Sequence, residues 1–242
     1  MSAFLTPLEI ILAIGIACLG TLLQGSIGFG LGLIGVPLLV LINPDFIPGP
    51  LLLAAFILNI LMSTRELHSI DIKGVGWAVP GRFMGAVVGA FILKLLPSEH
   101  LSLLFGLMVL IAVVLTSSGL SLSSKPTNIF GAATFSGIMG TTSAIGGAPM
   151  AIVYQHEKGP RIRGTLAAIF LFGTLLSLIS LTLIGRFGSK ELLMTLILLP
   201  GIFLGFFLSK KTAGFLDKGH IRLAVLIASA FSGLLIIILQ II

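Results

Sequence analysis

The residues of this chain best suited to chemistry lie in two glycine-rich breaks and at one arginine. The first break, Gln24-Gly25-Ser26-Ile27-Gly28-Phe29-Gly30-Leu31-Gly32-Leu33-Ile34-Gly35-Val36-Pro37, sets five glycines and a proline inside an apolar run from Leu8 to Ile42. The second, Gly140-Thr141-Thr142-Ser143-Ala144-Ile145-Gly146-Gly147-Ala148-Pro149, repeats glycine followed by proline and adds three hydroxyls. A helix interior loses roughly 1 kcal/mol per Gly and about 3 for Pro, so both runs should break here. Backbone freed at a helix start offers N–H groups and the positive end of the helix dipole, a ready site for an anion. Gln24, Gly25, Ser26, Gly28 and Gly30 at the first break, and Gly140, Thr141, Thr142, Ser143, Gly146 and Gly147 at the second, are therefore the candidate ligands.

Arg82 is the main basic residue deep within an apolar segment. It could snorkel to the interface or pair with a carbonyl, but it follows Pro80-Gly81, where backbone opens, and so joins the candidates. Asn59, mid-segment, could bind the same ligand or simply join helices. Thr174, Ser177 and Ser180 recur at helical spacing, although such hydroxyls commonly bond back to their own helix. Among the histidines, which titrate near neutrality, His156 directly follows the second break and is the candidate for proton coupling.

Several chemistries are excluded. Gly30-Leu31-Gly32-Leu33-Ile34-Gly35 matches a dinucleotide fingerprint, but neither the strand nor the suitably placed acid accompanies it. All eight acids (Glu9, Asp45, Glu66, Asp71, Glu99, Glu157, Glu191, Asp217) fall in loops or at segment ends. A cation carrier usually keeps a carboxylate within the membrane, so their placement favours an anionic ligand. No nucleophile–base pair or metal-ligand spacing appears, so neither an enzyme nor a metal or other cofactor is expected. The single cysteine, Cys18, excludes an internal disulfide.

These residues must be positioned by membrane helices. The chain is 57% hydrophobic and only 9% charged, with mean hydropathy +1.20, whereas soluble domains carry about 25% charged residues. The first basic residue is Arg65, so the N-terminus lacks a signal peptide's charged region and its first segment should stay in the membrane. The net charge of +6 comes from scattered loop residues, which argues for positive-inside bias and against nucleic acid.

Apolar segments fall at 5–23, 29–42, 48–63, 75–95, 100–118, 128–139, 144–154, 164–185, 191–208 and 221–242. Spanning takes around 20 residues. The pairs 5–23 with 29–42 and 128–139 with 144–154 are thus expected to form broken or re-entrant hairpins, and the other six segments full spans. Ten Lys and Arg residues, among them Arg65, Lys73, Lys125, Lys158, Arg163, Lys218 and Arg222, fall on one side against three on the other (Lys94, Arg186 and Lys190). The larger group marks the cytoplasm and both termini face the periplasm.

An internal repeat divides the chain. Leu33-Ile34-Gly35-Val36-Pro37-Leu38 aligns with Ile145-Gly146-Gly147-Ala148-Pro149-Met150, and Pro80-Gly81-Arg82-Phe83-Met84-Gly85 aligns with Pro200-Gly201-Ile202-Phe203-Leu204-Gly205, with four identities in six. At the second pair's offset, His100-Leu101 aligns with His220-Ile221. The expected fold is all-α and polytopic, with repeats at 1–120 and 125–242, each a hairpin plus three spans. An odd number of crossings per repeat makes the two inverted, and paired Gly/Pro-interrupted segments then point to a midplane site. Arg82 faces the neutral Ile202 in the alignment, so symmetry is broken where the charge appears.

The duplicated pattern Gly25-Ser26-Ile27-Gly28-Phe29-Gly30 … Val36-Pro37-Leu38-Leu39 and Gly140 … Gly146-Gly147-Ala148-Pro149-Met150 resembles the sulfite exporter TauE/SafE family over nearly the whole chain. Thr141-Thr142-Ser143 stands where that pattern would carry more glycine. The resemblance implies an inner-membrane secondary transporter of sulfur-containing anions, sulfite or organosulfonates, usually exporting them. An anion-selective channel and a non-transporting membrane assembly subunit are the alternatives. The expected partners are that anion and the lipid bilayer, with homo-oligomerisation left open.

Overall fold

The computed structural model describes residues 5–157, 159–216 and 220–241. Lys158, Asp217 and Lys218 lie outside the described residues, as do the side chains of His220 and Arg222. Ten α-helices are described: α1 (Pro7–Ile27), α2 (Leu31–Ile42), α3 (Gly49–Arg65), α4 (Ile72–Leu95), α5 (Leu101–Ser117), α6 (Pro126–Ser143), α7 (Gly147–Tyr154), α8 (Pro160–Leu183), α9 (Ser189–Leu216) and α10 (His220–Ile241). Local chemistry sets several of their starts. Thr6 and Glu9 form a reciprocal capping box on α1, and Pro7, Pro126 and Pro160 open α1, α6 and α8, where the missing N–H is unneeded.

Five helices are long and apolar enough to cross a bilayer: α1, α4, α5 with its leading turn from Ser98, α8, and α9. Phe83, Val87 and Phe91 stand 50–60% exposed along one face of α4, an apolar row of the kind a bilayer covers. The molecule is therefore an all-α, polytopic membrane protein.

One expectation about length needs correction: α1 has 21 residues and is long and apolar enough to cross, where the sequence set it among the short segments. The first break is also narrower than Gln24–Pro37. Gln24, Gly25 and Ser26 close α1, Gly32, Gly35 and Pro37 are helical in α2, and only residues 28–30 are irregular. Gly28 at φ 98° and Gly30 at φ 144° carry the turn, in backbone that side-chain-bearing residues rarely adopt. The second break is confined to residues 144–146. Thr141, Thr142 and Ser143 close α6 instead of lying in the loop.

The longest helix pairings run through glycine. On α4, a Cβ at Gly81, Gly85 or Gly89 would press into the α6 backbone at Phe130, Thr134 and Ile138 in turn. On α9, a Cβ at Gly201 or Gly205 would do the same to α1 at Ile14 and Cys18. The order along both helices shows that each pair runs parallel. Close backbone approach of this kind substitutes for the hydrophobic driving force that lipid cannot supply. α3 packs on α8, and α5 on α10, the latter with Gly106 against Gly233 and Ile237. One apolar cluster includes α2 and its neighbours, with Val36, Leu58, Val109 and Ile202, and another α6 and α7, with Ala78, Ala133, Val153 and Ile169.

Candidate functional site

The two breaks meet inside the protein. A Cβ on Gly32, in the first turn of α2, would collide with the carbonyl oxygen of Ala144, and one on Gly147 would sit 2.9 Å from the Phe29 side chain. Around this junction lies a cavity with about 40 Å³ open to the centres of water-sized molecules. One water needs roughly 10–15 Å³ by that measure, so the space suits about three waters or one small oxyanion. Both helix starts open onto it, α2 through Leu31–Leu33 and α7 through Gly146–Ala148. Neither N-cap residue offers a capping side chain, though Gln24 Oε1 accepts from the first N–H of α2, at Leu31. The remaining first-turn N–H groups and the dipole ends supply positive potential to the same space.

Arg82 is 1% exposed and does not snorkel. Its Nη1 donates to the carbonyl oxygen of Ser136 at 2.6 Å and to Ser136 Oγ at 2.8 Å. Its guanidinium lies over the Phe170 ring, 5.8 Å from the centroid, while Nε is buried with no partner among the described residues. Three glycines make room for it: a Cβ at Gly140, Gly146 or Gly173 would press on the guanidinium, hardest at Gly173. Among the described residues, no Asp or Glu lines the cavity, and Arg82 takes part in no ion pair. A buried cation without a counterion is costly and calls for an anionic partner.

Gln24 and Asn59 form the facing polar pair. Gln24 Nε2 donates to Asn59 Oδ1 at 3.0 Å, and Gln24 Oε1 accepts from the Leu31 N–H at 3.3 Å. Asn59 therefore joins α3 to α1, and its Nδ2 remains a buried donor without a partner. Two residues that line the cavity thus each carry a buried donor with no partner among the described residues, Arg82 Nε and Asn59 Nδ2.

Of the residues singled out by sequence, Gln24, Gly30, Asn59, Arg82, Gly140, Gly146 and Gly147 share this cavity. Gly25, Ser26, Gly28, Thr141, Thr142 and Ser143 do not line it. Thr142 and Ser143 bond back to carbonyls of α6, and Thr141 pairs with Ser177 across to α8. Thr174 lines the cavity, but its hydroxyl, like that of Ser177, bonds to its own helix. His156 is away from the cavity, at the end of α7, where its Nε2 lies 2.6 Å from Ser121 Oγ in the linker.

Sequence reasoning missed Ser136, Phe170 and Gly173. It also missed a charged clamp on the end of α1. Arg65 Nη2 donates to the Gly25 carbonyl at 2.6 Å and Arg163 Nη1 to that of Ser26 at 3.4 Å. Glu66 Oε1 accepts from Nε of both arginines, at 3.2 and 3.1 Å. The only local hint is polar residues at segment ends, which ordinarily means loops.

Residues 12–236 match a family model described as the sulfite exporter TauE/SafE. No curated protein and no solved structure matches.

Proposed function

Because the chain belongs to the sulfite exporter TauE/SafE family, and is thereby a membrane transporter and not an enzyme, we propose that it carries sulfite or a related organosulfonate across the inner membrane by alternating access. The observation that carries this reading is the convergence of two helix starts and Arg82, which joins no ion pair among the described residues, on one small cavity whose described lining holds no carboxylate. The anion would take its charge balance from Arg82 and hydrogen bonds from Arg82, Asn59 and the N–H groups of α2 and α7. About three waters' worth of space favours the inorganic anion over a sulfonate with a long tail.

The transport cycle we infer rests on two inverted repeats, 1–120 and 125–242. Helix pairing supports it. If α1–α5 correspond to α6–α10, then α4 on α6 is the counterpart of α9 on α1, and α3–α8 and α5–α10 each pair an element with its own equivalent. Cavity walls drawn from both halves would part as one half rocks against the other, exposing the anion to alternate sides. The bias of Lys and Arg orients both termini to the periplasm.

The test is counterflow of labelled sulfite in proteoliposomes. A carrier accelerates uptake when unlabelled sulfite is trapped inside; uptake indifferent to trapped sulfite would identify a channel instead. Arg82→Gln should lower the rate at least tenfold, since a hydrogen bond to a charged group contributes about 1.5–3 kcal/mol. Wild-type rates in that variant would remove the cavity from the pathway.

A further inference from the structure

Among the described residues, both hydrogen bonds of Arg82 go to Ser136, on α6. Ser136 is completely buried, and its hydroxyl donates onward to the carbonyl oxygen of Gly146, the residue that caps the start of α7. That one hydroxyl therefore accepts from the arginine and donates to the second break. A guanidinium presents its donors in a fixed planar fork. Engaging Nη1 fixes the plane and leaves the remaining N–H groups to meet an oxyanion. The glycine at 173 and the Phe170 ring confine the same plane from other sides.

Resting on the anion-site reading above, we propose that Ser136 is a positioning residue that sets the Arg82 guanidinium and ties it to the start of α7. In this arrangement the anion is met by a preset arginine and by N–H groups held in register with it. Movement of either is transmitted to the other through a single hydroxyl. Preorganisation of this kind lowers the cost of ordering at the moment of binding. The Ser136 carbonyl remains available to Arg82 whatever the side chain, so removing the hydroxyl frees the guanidinium's orientation without orphaning Nη1.

The experiment uses the purified full chain in detergent, with sodium sulfite as probe and sulfite-dependent thermal stabilisation as readout. Ser136→Ala should raise the apparent Kd for sulfite roughly tenfold, the loss of one charge-linked hydrogen bond. Ser136→Thr, which keeps the hydroxyl, should stay within about threefold of wild type. Without sulfite, Ser136→Ala should lower the melting temperature in the wild-type background and do so less beside Arg82→Gln, because the hydroxyl acts through the arginine. Wild-type affinity in Ser136→Ala, with Arg82→Gln weakened, would overturn the positioning role alone. Wild-type affinity in Arg82→Gln would overturn the anion site and this inference with it.

Discussion

The two breaks share a sequence pattern and a fold, yet the protein finishes them in opposite ways. At the first, the last carbonyls of α1 receive two arginines, and Glu66 joins both. Those cations are consumed: they satisfy orphan carbonyls at the negative end of a helix dipole and share a counterion. At the second, the nearby Arg82 donates to Ser136 within α6, a neutral partner, and its Nε has no partner among the described residues. Charge at the first break maintains structure; on the function proposed above, charge at the second serves the anion. The difference teaches that an arginine near a broken helix is informative only once its partners are counted.

The widest way to break this comparison is to remove one charge from each site. Glu66→Gln leaves Arg65 and Arg163 facing each other with side chains only 15% and 10% exposed. Removing one member of a fully buried pair costs 3–5 kcal/mol, and the residual exposure reduces that to about 2–3. Arg82→Gln removes an unpaired cation and should leave the unliganded protein as stable as wild type or more so. Thermal unfolding in detergent without anion reads both. Equal destabilisation by the two variants would mean that Arg82 is structural as well, and the contrast would fail.

The same contrast explains what could be read in advance. Gly28 and Gly30 mark where α1 ends because their positive φ disfavours any side chain, and the glycines at 146 and 147 mark the start of α7, where Arg82 and Phe29 fill the space a Cβ would need. Gly25, Gly32 and Gly35 follow the same composition but remain helical. Gly25 and Gly32 leave room for Ser209 and the Ala144 carbonyl, while a Cβ at Gly35 would make only ordinary contact with Leu51. Propensity counts both uses of glycine alike, so the break was drawn too wide and α1 too short. Arg82 stood out because it is a charge inside an apolar run, a purely local signal. Its partner Ser136 lies 54 residues away, and Arg163 meets Glu66 across 97. Pairings at such separations leave no local trace, and charged residues at helix ends look like solvated loop residues until the fold closes around them.

A narrower test asks how alike the halves are where they should match. Gly85 and Gly205 occupy aligned positions, and a Cβ on either would press into a backbone carbonyl, of Thr134 in one pairing and of Cys18 in the other. Backbone cannot yield as a flexible side chain does, so Gly85→Ala and Gly205→Ala should each cost about 1–3 kcal/mol by overpacking. If the repeats are structurally equivalent, the two losses in thermal stability should agree to within about 0.5 kcal/mol, the tolerance of independent sites. A large inequality would show that one pairing carries the fold while the other is free to slide. The second outcome would locate the rocking surface between α4 and α6 or between α1 and α9.

The smallest expected effect separates the breaks at single-residue scale. Gly28 closes α1 at φ 98°, and Ala144 closes α6 at φ 61°. A Cβ in left-handed backbone costs about 1–2 kcal/mol, so Gly28→Ala should destabilise by that amount. Its Cβ would also sit 3.3 Å from Leu166 Cδ1, a contact that this flexible methyl can relieve. The reverse swap, Ala144→Gly, gains back the same left-handed strain. Against that stand about 0.4–1 kcal/mol for the freer unfolded chain and part of the ~0.8 kcal/mol that a buried methyl contributes, because Ala144 packs against the core around Val36. These terms nearly cancel, so Ala144→Gly should change stability by less than about 0.5 kcal/mol. A clear gain on Ala144→Gly would show that the second break stores strain, which would make α7, and not α2, the arm poised to move when the anion arrives.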